Sequence, residues 1–221
     1  MEKWFHRLGD VPGIDYIPDS TIDRSQLPGH NAVPNITRFE FDGKPHESMQ
    51  WPTQDGSTGL SPAQEWQTQP REGETEAQKT LRELREALEL PGTLSNYHFA
   101  IQGRTDTLRR FARNEPWVLE EVERLCWLDI RLVSRYPKTV TLEPAMIDNE
   151  ELAKLARERR GNRQFFGVSA FHYLISMYEE EGYLREALEV AKIGEQFEQC
   201  PGKVEQIEER LKRIEAEVAD A

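Results

Sequence analysis

The chain has 221 residues, of which 37% are hydrophobic and 31% are charged, and its formal net charge is −12. This acidic balance disfavours binding to nucleic acid or to anionic membranes, since both attract lysine and arginine. No stretch approaches the roughly 18 apolar residues of a membrane helix, and residues 1–6 lack the apolar region of a signal peptide. The two cysteines, Cys126 and Cys200, do not suggest a disulfide framework. We therefore predict a soluble, cytoplasmic protein without membrane insertion.

Residues 1–74 form an arm that is rich in proline and glycine. Prolines recur about every ten residues here, and each one removes an amide donor and clashes with the preceding helical turn. No helix of ordinary length is expected in this segment. The alternation of Thr37, Phe39 and Phe41 before Asp42-Gly43 predicts a small β-hairpin over 36–51.

The arm also carries large aromatic residues, which disordered segments usually lack. Four of them are candidate contacts with a partner protein: Trp4, Phe5, Trp51 and Trp66. Two interpretations stay open. The arm either folds back on the helical part of its own chain or wraps around a partner.

From residue 75 onward helix formers dominate and prolines become rare. Apolar residues at helical spacing predict helices over 75–90, 94–113, 114–135, 148–160, 163–181, 183–199 and 203–218. The sequence therefore predicts a mainly α protein with two domains, the irregular arm over 1–74 and an all-helical domain of antiparallel helix hairpins over 75–221. The last helix has a heptad-like apolar seam. That seam predicts either an intramolecular cap or a homo-oligomer formed through helix 203–218.

Residues 170–197 resemble a single tetratricopeptide repeat, a helix hairpin in which large residues of one helix fill gaps beside small residues of the other. The residues that carry the resemblance are Phe171, Leu174, Tyr178, Gly182, Leu184, Ala187 and Ala191. Ile175 departs from the small residue of the family pattern, and Pro201 lies later than the family's closing proline. The resemblance implies a hairpin fold whose exposed face can bind a ligand, and His172 is a candidate residue of that face.

No catalytic, cofactor or metal motif is recognised in the sequence. The five histidines show no metal-ligand spacing, and the chain has neither a serine-hydrolase elbow nor a phosphate-binding loop. The sequence motifs therefore do not indicate an enzyme, and no cofactor is predicted.

Two arginine clusters interrupt the acidic background. Both fall toward predicted helix C-termini, where cations complement the helix dipole, and docking of an acidic peptide or a phosphate is the alternative interpretation. Their candidate partner-binding members are Arg109, Arg110, Arg113, Arg160 and Arg163. Asp129 lies on an otherwise apolar helix. We expect an arginine of these clusters to pair with it, and a catalytic carboxylate is the second interpretation.

These observations favour a non-enzymatic protein–protein interaction module: a scaffold, an adaptor or an accessory subunit of a larger assembly. One alternative is an acidic inhibitor or immunity-type protein that neutralises a basic enzyme through salt-sensitive contacts. Another is a hydrolase with a site between arm and helices, around His30, His46 and Glu47.

Overall fold

A computed structural model describes residues 3–41, 43–53, 56–135 and 167–219. Within these ranges the protein is mainly helical, with a small antiparallel sheet in its N-terminal region. The chain divides into two compact units, unit 1 over Met1–Arg135 and unit 2 over Tyr136–Ala221. The predicted boundary between residues 74 and 75 lies inside unit 1, so the arm and the first long helices share one compact body. The helix predicted over 148–160, Arg160 and Arg163 lie outside the described residues.

Unit 1 contains one short helix, α1, and three long ones, α2, α3 and α4. Their bounds are Pro62–Glu65, Glu76–Leu88, Leu94–Leu108 and Trp117–Val133. The middle helix α3 packs against both α2 and α4. The apolar residues of α2 and α4 are therefore buried against α3.

The helices α2 and α3 each begin with a capping box. Thr75 accepts a hydrogen bond from the backbone N–H of Gln78, whose side chain accepts one from the N–H of Thr75. Thr93 and Asn96 repeat this arrangement at the start of α3. Each box satisfies amide donors that the first helical turn leaves without a partner.

The arm folds into a three-stranded antiparallel sheet in the order β2–β3–β4. β2 is Asn35–Phe41, β3 is Lys44–Thr53 and β4 is Gly56–Thr58. Phe39 pairs with His46, and residues 42 and 43 connect the first two strands. The structure therefore has a hairpin where the sequence predicts one over 36–51.

A second, two-stranded pairing ties the beginning of the arm to the connection between α2 and α3. β1, Trp4–Phe5, is antiparallel to β5, Gly92–Thr93. A Cβ atom on Gly92 would lie 3.3 Å from the Cβ of Ala63, so this connection also lies close to α1. The arm thus contributes to the fold of unit 1 at its first residues as well as through its sheet.

The core of unit 1 takes side chains from both the arm and the helices. The largest fully buried side chains of this unit are Leu8, Trp51, Leu84, Leu88, Leu90, Tyr97, Ile101, Leu108 and Leu132. Because the first two belong to the arm, removing the arm would expose apolar surface of the helices.

Unit 2 contains α5 (Ser169–Glu181), α6 (Leu184–Glu195) and α7 (Lys203–Ala219). α5 starts later than the predicted residue 163, since Gly167 and Val168 are not helical. α5 and α6 form a hairpin, and α6 packs against α7. Gly182 ends α5 with a φ of 84°, the left-handed conformation that glycine adopts without steric cost.

The apolar seam of α7 is only partly covered. Val204 and Ile207 are buried, whereas Ile214 and Val218 are exposed. Lys203 Nζ lies 3.0 Å from Glu179 Oε2, and Lys192 Nζ lies 3.0 Å from Glu208 Oε1. The first half of the helix is therefore held on the hairpin, and the second half offers apolar side chains to solvent.

Candidate interaction surface

The arm is fastened to α2 by Arg82. Its Nε and Nη2 atoms donate to the two carboxylate oxygens of Glu74 at 2.7 and 2.6 Å, and Nη2 also donates to the carbonyl oxygen of Gln69 at 2.7 Å. Nη1 donates to the hydroxyl of Thr68 and to Glu86. The Arg82 guanidinium holds the pKa of Glu74 at about 2, mainly through these hydrogen bonds. A forked ion pair of this kind fixes the 68–74 segment in place.

The indole N–H and the backbone carbonyl of Trp66 are both hydrogen-bonded. Its Nε1 donates to Glu86 Oε2 at 3.0 Å, and its carbonyl oxygen accepts a hydrogen bond from Arg104. Glu86 is buried and also lies 3.1 Å from Arg82 Nη1. The predicted partner contact Trp66 therefore serves in this structure to join the arm to α2 and α3.

Arg24 ties two further parts of the arm to the end of α2. Its Nε donates to the carbonyl oxygen of Glu89 at 2.9 Å, and its Nη2 donates to the carbonyl oxygens of His6 and His30. His30 also has its Nδ1 2.9 Å from the carbonyl oxygen of Leu27. One guanidinium thus satisfies three backbone acceptors that belong to separate segments.

Trp51 anchors the sheet in the core. Only 1% of its surface is exposed, and the Trp4 ring meets it edge-on with centroids 6.0 Å apart. Phe5 is also buried, and the Lys3 Nζ lies 5.2 Å from its ring centroid. Hence Phe5 and Trp51, two of the four predicted partner contacts, pack inside unit 1 in this structure.

The hairpin rings have the opposite environment. Phe39 is 48% exposed and Phe41 is 59% exposed, and every residue of β2 lies at the surface. His46 stacks on Phe39 with ring centroids 5.7 Å apart and meets Phe41 edge-on at 6.0 Å. These three rings, Phe39, Phe41 and His46, form what we term the aromatic face of the hairpin. In the sequence both phenylalanines indicate a strand and no function, although their alternation already places them on one face.

The other face of the hairpin carries charge. Arg38 Nε lies 2.6 Å from Glu47 Oε1 across the two strands. His46 and Glu47 are neighbours in β3, so their side chains point to opposite faces of the sheet. With His30 bonded to Leu27, the three residues of the suggested hydrolase site have separate partners in this structure.

The remaining predicted contact residues lie apart from the hairpin in sequence. Arg109, Arg110 and Arg113 are exposed just after α3, where Arg109 and Arg110 belong to a 3₁₀ turn. Arg104, from the same cluster, points inward to Trp66. His172 is exposed on α5 in unit 2.

Among the described residues the partner of Asp129 is a histidine and not an arginine, contrary to expectation. His98 Nδ1 lies 2.7 Å from Asp129 Oδ1, and both side chains are buried in unit 1. Asp129 Oδ2 has no hydrogen-bond partner among the described residues. Burial raises the pKa of Asp129 above its ordinary value, and His98 opposes this effect. Burial likewise raises the pKa of the Cys126 thiol, so Cys126 is an unreactive core residue.

Two grooves flank the arm where residues 15–23 cross α2. One has a volume of about 620 Å³ and the other about 500 Å³, and the ion pair between Asp19 and Arg85, 3.1 Å apart, borders both. Their described lining contains no histidine or cysteine.

Among the described residues no three histidine, cysteine or carboxylate side chains come together as metal ligands would. None of the described helices is both long enough and apolar enough to cross a membrane.

Comparison with known proteins adds no relative: no protein-family model, curated protein or solved structure matches the chain.

Proposed function

We propose that this chain is a non-enzymatic protein–protein interaction module, acting as a scaffold, an adaptor or an accessory subunit of a larger assembly. The aromatic face of the β2–β3 hairpin is the observation that carries the proposal. Single exposed apolar residues are common on protein surfaces. Two exposed phenylalanines that share one face with a stacked histidine are the kind of aromatic group that protein interfaces favour.

The anchoring of the arm supports this proposal, because an interface binds more tightly when little order must be gained on binding. Trp51 fixes the base of the hairpin in the core, while Arg82 and Arg24 fasten the segments that surround it. The arm therefore presents the aromatic face from a folded body. Its other large rings support that body.

In unit 2 we propose a tetratricopeptide-like packing of α5 against α6. The large residues Phe171 and Leu174 are buried, as are the small residues Ala187 and Ala191. A Cβ atom on Gly194 would lie 3.3 Å from Phe171 Cδ1, so the two helices approach closely at that glycine. The large-beside-small pattern of the sequence is consistent with these contacts.

The second half of α7 is a further proposed contact in unit 2. Ile214 and Val218 continue the seam that Val204 and Ile207 begin, and they are exposed. A partner helix or a second copy of α7 would cover them. His172 is the proposed polar contact on the exposed side of α5.

The experiment that tests the proposal compares three forms of the full chain. Wild type, the double variant F39S/F41S and the control I17S are tagged and incubated in native extract, and any stoichiometric partner is identified and purified. Its affinity for each form is then measured by calorimetry. Ile17 is a matched control because it is 86% exposed on the same unit.

We expect wild type and I17S to bind the purified partner equally and F39S/F41S to lose at least about tenfold in affinity, since aromatic anchors dominate interface energy. Absence of any stoichiometric partner, including a second copy of this chain, would reject the proposed function. Equal binding by all three forms would reject the aromatic face as its site.

A further inference from the structure

We propose that β2 pairs antiparallel with β2 of a second copy of this chain, in a two-fold register centred on Phe39. This inference rests on the proposed function, because it names the partner of the hairpin as another copy of the same protein. It uses a second feature of the hairpin beside the aromatic face, namely the outer edge of β2.

The outer edge of β2 is a pairing surface. β2 lies at the end of the β2–β3–β4 sheet and has β3 as its single neighbour among the described strands. In a hairpin with a two-residue connection the flanking residues, here Phe41 and Lys44, form the hydrogen-bonded pair. Alternation along the strand then directs the N–H and C=O groups of Arg38 and Glu40 outward. Those groups are available to another strand.

The sequence of β2 is self-complementary about Phe39. An antiparallel second copy in this register places Arg38 opposite Glu40 of the other copy, and the two-fold axis repeats this pair. Opposite charges that face each other across strands stabilise pairing, and like charges oppose it. A register centred on Arg38 would place two arginines together, and one centred on Glu40 would place two glutamates together. Of these three registers, charge favours the one centred on Phe39, which pairs Arg38 with Glu40 twice.

The same register brings the exposed rings together. Phe39 faces Phe39 of the second copy, and Phe41 faces Thr37, all on the aromatic face. Since the pair at Phe39 is not hydrogen-bonded, its side chains approach more closely than those of the neighbouring pairs. The facing sides of both phenylalanines in each copy, which are exposed in the single chain, are then covered in part.

Two residue types that often block an edge strand are absent from β2. Proline and lysine are common blocking residues at sheet edges, and β2, Asn35–Phe41, contains neither. Its two charges, on Arg38 and Glu40, repel strands of unmatched charge but attract a second copy in the stated register.

The test uses full-length protein in sedimentation equilibrium. Wild type is expected to dimerise with rising concentration. The single variants R38E and E40R are each expected to raise the dimer Kd by about tenfold or more, because each opposes two pairs of like charges. An equimolar mixture of R38E and E40R restores Glu opposite Arg at both positions, so we expect the mixed dimer to form.

A backbone variant tests the edge itself. Glu40→Pro removes an outward amide and leaves the β2–β3 ladder intact, since proline is tolerated on a sheet edge. It should abolish the dimer while the urea midpoint of the monomer stays close to that of wild type.

Each outcome decides one question. A monomeric wild type at all concentrations, or failure of the R38E and E40R mixture to associate while each single variant remains folded, overturns the inference. If a different protein still binds in an F39S/F41S-sensitive manner, the proposed function survives that result. A wild-type dimer with the expected variant pattern and no other partner supports the inference and limits the proposed function to self-association.

Discussion

His98 Nδ1 lies 2.7 Å from Asp129 Oδ1 in the core of unit 1, and this bond joins α3 to α4. Both side chains are almost completely buried. An ionisable pair in such a place is costly to break from one side, because the remaining group keeps its desolvation penalty without a partner.

A double-mutant cycle on His98 and Asp129 should measure the free energy lost when one partner remains buried alone. We expect His98→Leu alone to lower the free energy of unfolding by about 3 kcal/mol, since it leaves Asp129 buried and unpaired. The double variant H98L/D129L should lose clearly less, because no unpaired polar group remains. Urea unfolding of the two single variants and the double variant measures the coupling. Strictly additive losses would contradict the role of the pair.

Arg82 should contribute more to stability than a surface arginine. Replacing it with Met removes the fork to Glu74 and the bonds to the 68–69 segment, and we expect a loss of about 2–3 kcal/mol. The control is Arg124→Met. The Arg124 side chain is 63% exposed, and its guanidinium is bonded to Glu121. Such pairs contribute about 0–1 kcal/mol. Equal losses in urea unfolding would show that the fork does not fasten the arm.

The same fork predicts a specific acid sensitivity. The pKa of Glu74 is lowered from 4.5 to about 2, chiefly by its hydrogen bonds with Arg82. Because the folded pKa lies below the unfolded one, the stabilisation is fully present above about pH 4.5 and is lost as pH falls toward 2. The variant Glu74→Gln lacks this pH-dependent stabilisation, because a glutamine side chain does not ionise.

The measurement is the difference in free energy of unfolding between wild type and E74Q across pH 2 to 6. That difference cancels groups common to both proteins, including Glu89, whose pKa burial raises. We expect it to be on the order of 2 kcal/mol at pH 6 and to shrink toward acid pH. E72Q, at an exposed neighbouring carboxylate, should show no such trend. A pH-independent difference for E74Q would exclude the ion pair as its cause.

Trp51 should be the most sensitive position of the arm. Trp51→Ala removes a fully buried ring beside Trp4, and large-to-small changes of this kind cost about 3–5 kcal/mol. We also expect faster proteolysis within 35–53, because the hairpin loses its anchor. Ile17→Ala, at an 86% exposed side chain, should change stability by less than about 0.5 kcal/mol. Unchanged proteolysis in W51A would mean that other contacts hold the hairpin.

Two helical glycines should respond in opposite directions. Gly103 lies inside α3 with no atom within 4 Å of an added Cβ, so Gly103→Ala should stabilise unit 1 by about 0.5–1 kcal/mol. At Gly194 an added Cβ meets Phe171 at 3.3 Å, so Gly194→Val should destabilise unit 2 by about 2 kcal/mol. Thermal unfolding followed by circular dichroism compares them. A neutral G194V would argue against close packing of α5 on α6.

Local patterns in the sequence were enough to predict several elements. The apolar residues at helical spacing over 75–90 predict the helix that forms α2, Glu76–Leu88. The alternation through Thr37, Phe39 and Phe41 predicts the strand that forms β2. Predictions of helix ends were less accurate, because α5 begins at Ser169 and α6 ends at Glu195. A helix end depends on packing and on the following turn, which the apolar period does not describe.

The sequence by itself determined the acidic composition, the apolar period of the helices and the alternation of the hairpin. The period and the alternation depend only on neighbours within a few residues. Only the tertiary structure decided that His98 pairs with Asp129, 31 positions away, and that Arg24 binds the carbonyl oxygen of Glu89, 65 positions away. It also decided that Trp51 is buried and that Phe39 is exposed. The physical reason is that hydrogen bonds and burial depend on distance in space, which chain folding sets and local spacing does not.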